Sequence, residues 1–153
     1  MSVKINDKSN KTYIVLGVPH SATSFIAQSL EKNGVDMGTK ESKEGFYENP
    51  VFLNLNKEIR NNPHCPKIND KIRRAIKKNK PKFWGFKDPR TCLSFEHYLP
   101  HLDEDVYLIC CFRKPKYIIK ALKRGKSWRG KEKKMIDLYN KSIINIIKKF
   151  CKL

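Results

Sequence analysis

Apolar positions along the chain repeat in two ways. Thr12 to Val18 (TYIVLGV) and Val106 to Phe112 (VYLICCF) are unbroken β-branched and apolar runs. Such runs predict strands covered on both faces, as in a parallel sheet. Phe83 to Phe86 (FWGF) is a shorter run of the same kind. Between and after them the spacing changes to three and four. Phe25, Ile26, Ser29 and Leu30 line one stripe of a helix through FIAQSLEKN, with Gly34 as its stop. Asn49 and Pro50 supply the N-cap and first residue of a second helix, striped by Val51/Phe52, Leu55 and Ile59. NNPHCP at 61–66 breaks it. Ile68, Ile72 and Ala75/Ile76 predict a short, very basic helix ended by Lys80-Pro81. Helices are also predicted over Cys92–Leu99, Lys116–Lys123 and Lys134–Phe150, the last with Met135/Ile136, Tyr139, Ile143/Ile144 and Ile147 on one stripe.

Strands alternating with helices predict an α/β layer fold with a small parallel sheet and right-handed crossovers. Residues 1–10 read as a flexible tail, 37–47 as a loop, and 11–153 as a single domain. Ligands of such sheets bind at the carboxyl ends of the strands. All three predicted strands end there in a polar cluster: PHSATS, KDPR and FRKP.

Composition narrows the picture. The chain has 153 residues, of which 39% are hydrophobic, enough for one core. It has no run of about 18 apolar residues to span a membrane, and MSVKINDKSNKTY lacks the apolar stretch of a secretory signal. Five cysteines, Cys65, Cys92, Cys110, Cys111 and Cys151, form no CxxC. They fit a reducing compartment, and the expected location is cytoplasmic. His97 and His101 are four apart, but further ligands are missing, so no metal is expected.

Charge is lopsided. The net +18 divides into +1 over residues 1–62 and +17 over 63–153. An anionic partner is one source of that excess; a Lys-, Asn- and Ile-rich composition that puts lysines on solvated faces is the other. Arg113 to Lys134 carries eleven Lys or Arg in twenty-two residues, with Tyr117 and Trp128 interleaved. It could track a nucleic-acid backbone, cradle a sulfated glycan, or hold the phosphates of a donor. Its glycine-bearing part, 122–134, reads as a flap.

The segment GVPHSATS joins a buried strand to a helix N-terminus, where backbone N–H groups and the helix dipole (about half a positive charge) attract anions. Ser21, Thr23 and Ser24 add hydroxyls. The spacing is that of a Walker A loop, GxxxxGK[ST], without its lysine, which disfavours an ordinary ATPase. A plain strand–turn–helix with a capping serine fits the same residues.

The run YIVLGVPHSATSFIAQSLEKNGVDMG resembles the first strand–loop–helix of P-loop sulfotransferases, close to GxPRSGTS and an aliphatic helix. Four further blocks follow in that family's order. GFYENPVFLNLN is similar to its Gly-aromatic-aromatic-Glu-Asn segment, and WGFKDPRTCLSFEHYLPHL to its Trp-Gly-x-Lys-Asp-Pro-Arg element. VYLICCFRKP is similar to its strand ending in Arg-x-Pro, and MIDLYNKSIINIIKKF to a later helix.

The resemblance implies a three-layer P-loop fold and 3′-phosphoadenosine-5′-phosphosulfate (PAPS) as sulfuryl donor. A hydroxyl or amine of a small molecule or carbohydrate would be the acceptor. Pro19, His20, Ser21, Ala22, Thr23 and Ser24 would hold the phosphosulfate, and Arg113 the 3′-phosphate, with Lys120 and Arg124 beside it. Glu48 is the candidate base; Lys87 and His20 would face the reacting group. Lys87 and Arg90 could equally be structural ion-pair members of the KDPR turn. Three departures stand out. His20 replaces a usual Arg or Lys, giving partial charge at neutral pH and weaker, pH-dependent binding. Ala22 replaces a usual Gly, and Ala121 a usual Ser. The chain stops after the Tyr139 helix, shorter than is usual for the family. The alternative expectation is a non-catalytic polyanion- or nucleic-acid-binding protein on the same scaffold.

Overall fold

The computed structural model describes residues 10–39, 46–78, 81–102, 105–124 and 130–150. Three strands, β1 (Lys11–Gly17), β2 (Phe83–Lys87) and β3 (Val106–Cys111), form a parallel sheet in the order β2-β1-β3. Thr12 lies opposite Trp84 on one side and Val106 on the other, and Val15 opposite Lys87 and Ile109. The connections carry α1 (Thr23–Lys32), α2 (Pro50–Asn61) and α3 (Ile68–Lys78) between β1 and β2, and α4 (Thr91–Tyr98) between β2 and β3. After β3 come α5 (Pro115–Leu122) and α6 (Glu132–Phe150). This is an α/β protein with a small open three-stranded parallel sheet and six helices among the described residues.

Strand alternation divides the core in two. Ile14 and Leu16 of β1, Trp84 and Phe86 of β2, and Leu108 and Cys110 of β3 face a large cluster with residues of α2 to α6. Val15, Tyr13, Ile109 and Cys111 face a smaller one with Ala27, Ile26 and Leu30 of α1 and with Val35 and Met37. Helices therefore cover both faces, as the unbroken runs require. β3 is the exception. Its run is as apolar as that of β1, yet it lies at the sheet edge with its residues only half-buried and Tyr107 exposed. The outer side of β2 is covered by a bridge from Asp36 to Trp84.

Local signals explain the helix ends. Asn49 caps α2, its side chain accepting from Val51 N at 3.0 Å, and Pro50 follows at the first position. α1 ends as Val35 N donates to Leu30 O and Gly34 N to Glu31 O, both at 3.1 Å. That pair is a Schellman motif, with Gly34 at φ 88° in the left-handed position the motif needs.

Several stripes shift from their expected positions. α1 starts at Thr23, two residues earlier than expected, which rotates its buried face onto Thr23 and Ala27 and leaves Phe25 66% exposed. Val51 and Ile144 are also exposed, and Ile146 takes the buried place expected of Ile147. Met37, expected in a loop, is fully buried under the sheet. α4 gives way to a short 3-10 turn at Leu99–His101, so His97 and His101 do not share one α-helix. The tail before residue 10, the centre of the expected flap with Trp128, and Cys151 lie outside the described residues. Cys65, Cys92 and Cys111 are free thiols. Among the described residues no helix is long and apolar enough to cross a membrane.

The aromatic side chains of α2 and β2 stack on one another. The Phe52 ring stacks on Phe86 at 3.9 Å between centroids and on Trp84 at 5.9 Å, and meets Tyr98 at 6.0 Å. Phe52→Ala should cost about 3–5 kcal/mol, a large share of the stability of a domain this size. Denaturant unfolding would show it as a lower midpoint.

Candidate active site at the strand ends

β1 ends at Gly17, and the chain turns sharply through Val18 to Ala22 into α1. Ser21 N donates to Val18 O at 3.0 Å, closing the turn. The turn curls so tightly that a Cβ on Gly17 would lie 2.5 Å from both Ser21 Oγ and Thr23 Cγ2. Beneath it, Gly17 N donates to the buried Cys92 thiol at 3.2 Å, and burial pushes that thiol up to about 12. His20 and Ala22 both adopt left-handed backbone, at φ 68° and 70°. For non-glycine residues this costs roughly 1–2 kcal/mol each. Strain at Ala22 matches the expectation from its usual glycine; strain at His20 is an addition.

The start of α1 is open. The first N–H groups of any helix lack intrahelical partners, and no side chain caps this one. The Ser21 hydroxyl is buried and unpartnered. A capping serine, the plain explanation of the segment, is therefore not what the turn contains.

Two further strand ends meet this turn. Lys87, the last residue of β2, is 2% exposed. Its ammonium donates to Ser24 Oγ at 3.2 Å, Phe46 O at 2.8 Å and Glu48 Oε1 at 3.2 Å. An ammonium has three N–H groups, so all are engaged. Burial lowers the Lys87 pKa, against the opposing pull of Glu48. Glu48 Oε2 lies 3.6 Å from the Arg90 guanidinium, whose Nε also donates to Asp88 Oδ1 at 3.1 Å. From beyond β3, Arg113 donates to His20 O at 2.9 Å and lies 5.5 Å above the Tyr117 ring.

These groups wall a cleft of about 370 Å³ lined by Pro19, His20, Ala22, Thr23, Ser24, Phe46, Glu48, Lys87, Pro89 and Arg113. The three polar clusters at the strand ends thus converge on one space. Ser21 is buried and is not among the residues that line it. Lys120 and Arg124 are exposed and outside this wall; Lys120 is on α5, and Arg124 lies two residues past its end. His20 departs from its expected partial charge: burial, then Arg113 and Lys87, lower its pKa, so the imidazole is largely neutral at pH 7. Ala121 is half-buried. No group of three or more metal-ligating side chains occurs among the described residues.

Three contributors escaped the sequence reading. Phe46 acts through its carbonyl, which no side-chain pattern announces, and Pro89 was passed over between Asp88 and Arg90. Asn56 left a legible signal. It sits four after Phe52 and three before Ile59, a polar residue on an apolar stripe, and it is fully buried.

No protein-family model, curated protein or solved structure matches this chain.

Two outcomes are expected. Ala22→Gly should stabilise the protein by up to about 1 kcal/mol, because relief of the left-handed strain exceeds the added freedom of the unfolded chain; thermal melts would show a rise of a few degrees. An anion in the cleft should raise the lowered His20 pKa. Binding then takes up a proton, and affinity falls as pH rises through the bound-state range and is flat below the free-state one. Titration calorimetry with inorganic sulfate across pH checks this; His20→Asn, which tolerates positive φ, should abolish the His20 contribution to the slope.

Proposed function

We propose that this chain transfers a sulfuryl group from PAPS to a hydroxyl or amine of a small molecule or carbohydrate, on a P-loop-type scaffold. The observation that carries the reading is an uncapped helix start at a cleft walled also by Lys87 and Arg113, with the buried, unpartnered Ser21 hydroxyl in the turn that leads into that helix. A turn that strains two residues and leaves a buried hydroxyl unsatisfied is poorly explained as scaffolding alone. Both features make sense for an anion that accepts from Ser21, the first N–H groups of α1 and the two cations. The sequence resemblance narrows that anion to the phosphosulfate of PAPS.

PAPS would supply an electrophilic sulfur and a phosphate leaving group. Transfer needs charge stabilisation on oxygens in line with the attacking group. Lys87 and the helix start would take that task. Glu48 is the candidate to take the acceptor's proton. Both of its oxygens face cations, so the acceptor must reach an oxygen that Lys87 or Arg90 yields. Arg113 would serve the 3′-phosphate, steadied by the Tyr117 ring. Lys120 and Arg124, outside the cleft wall, would act only through longer-range attraction.

A second reading has one observation in its favour. Lys114, Lys116, Lys120, Lys123 and Arg124 are exposed, and none has an ion-pair partner among the described residues. On α3 and α6 Lys71 pairs with Glu58, Arg73 with Asp70 and Lys149 with Glu96, while Arg74, Lys77, Lys78, Lys133, Lys134, Lys141 and Lys148 are exposed without such a pair among the described residues. The unpaired set would suit a non-catalytic polyanion or nucleic-acid binder.

Calorimetric titration with 3′-phosphoadenosine-5′-phosphate separates the two. Under the sulfotransferase reading it binds selectively over ATP, and Ser21→Ala weakens it roughly tenfold. The same variant should leave the free protein as stable or more stable, since it removes a buried unpaired hydroxyl. Equal weakening of both nucleotides, or binding that follows only lysines removed from 114–124 with a steep salt slope, would favour the polyanion reading.

A further inference from the structure

Behind the cleft wall runs a chain of buried polar contacts with Asn56 at its centre. Asn56 Nδ2 donates to Asp88 Oδ2 and to Thr91 Oγ1, both at 2.9 Å. Its Oδ1 accepts from the Ser94 hydroxyl and from Tyr98 OH. A primary amide has two donor and two acceptor sites, so its capacity is filled without any ligand. Asp88 is 0% exposed and passes the contact outward. Its carboxylate accepts from Arg90 N at 3.1 Å and from Arg90 Nε at 3.1 and 3.3 Å. Arg90 in turn stands 3.6 Å from Glu48, which shares Lys87.

A leucine would suit the apolar stripe of α2 better than an amide. The amide's placement two contacts from the cleft gives it a different task. We propose that Asn56 is a positioning residue for the cleft: by holding the Asp88 carboxylate it keeps Arg90 neutralised, and so sets how strongly the cleft draws an anion.

The sign follows from charge. Asp88 stays ionised against a burial penalty that raises its pKa, with help from Arg90 and the Asn56 amide. Without the amide its carboxyl takes up a proton at higher pH. Arg90 then keeps Glu48 as its one carboxylate partner, and the surroundings of the cleft become more positive by one charge. The other ionisable groups around Asp88 are Lys87, Arg90, Glu48, Cys92, Tyr98 and Tyr139. Burial pushes the last three up, so they stay neutral and do not contribute in acid.

The test uses Asn56→Leu, with Tyr98→Phe as a control that removes a contact to Asn56 Oδ1, on the side of the amide away from Asp88, and keeps the ring. Carbon NMR of labelled aspartate follows Asp88 directly. Its titration should move to higher pH in Asn56→Leu and stay in place in Tyr98→Phe. In the acid range where only the variant has lost the Asp88 charge, inorganic sulfate should bind roughly three- to tenfold tighter to Asn56→Leu than to wild type. Tighter binding is a result that mere structural damage does not give. Asn56→Ala, which adds no bulk, carries the same expectation if the leucine does not fold. An unmoved Asp88 titration, or weaker sulfate binding at every pH, overturns the proposal. The step from sulfate to PAPS rests on the donor-site reading. Failure of 3′-phosphoadenosine-5′-phosphate to bind wild type would count against that reading alone, since the Asp88 titration reads the relay itself.

Discussion

The buried ammonium of Lys87 is the constraint around which the cleft is organised. A charge this enclosed is tolerable only if every N–H group has an acceptor. The three acceptors come from two chain segments: Ser24 in the first turn of α1, and Phe46 and Glu48 before α2. Lys87 itself closes β2. One side chain thus ties a strand end, a helix start and an inter-helix segment together. Removing one partner of a buried pair typically costs about 3–5 kcal/mol, because the other charge is left uncompensated. The cleft is accordingly part of the fold's own electrostatic balance.

The same balance shapes what the cleft can bind. Lys87 is saturated, Glu48 sits between two cations, and Arg90 between two carboxylates. Under the proposed reading an anion would compete with Glu48 for Lys87, whereas at the start of α1 it would displace no capping side chain.

Much of this was legible from residue order. The three strands, the Asn49–Pro50 helix start and the Gly34 stop follow from local chemistry, and strand-end clusters meet because parallel strands bring their carboxyl ends to one side. What was not legible depends on neighbours. Phe25 and Ile26 are indistinguishable by periodicity, and only the turn at Ala22 fixes which faces the sheet. VYLICC reads as a strand covered on both faces; its half-buried place at the edge depends on pairing. The lowered pKa of His20 comes first from burial, then from Arg113, 93 positions away in sequence, and from Lys87. Asn56 was visible as a polar intruder on α2, but its partners Asp88, Thr91, Ser94 and Tyr98 lie on later elements.

The half-buried edge of β3 gives the lysine excess a meaning that needs no ligand. Among the described residues nothing pairs with the outer side of this strand, and its flank carries exposed Tyr107 and Phe112. An open apolar edge is a template for another chain, and natural proteins guard such edges with charge. Here the strand runs directly into Arg113, Lys114 and Lys116, and α5 continues the series. The net +17 of residues 63–153 adds a general repulsion between copies, whichever way their edges approach.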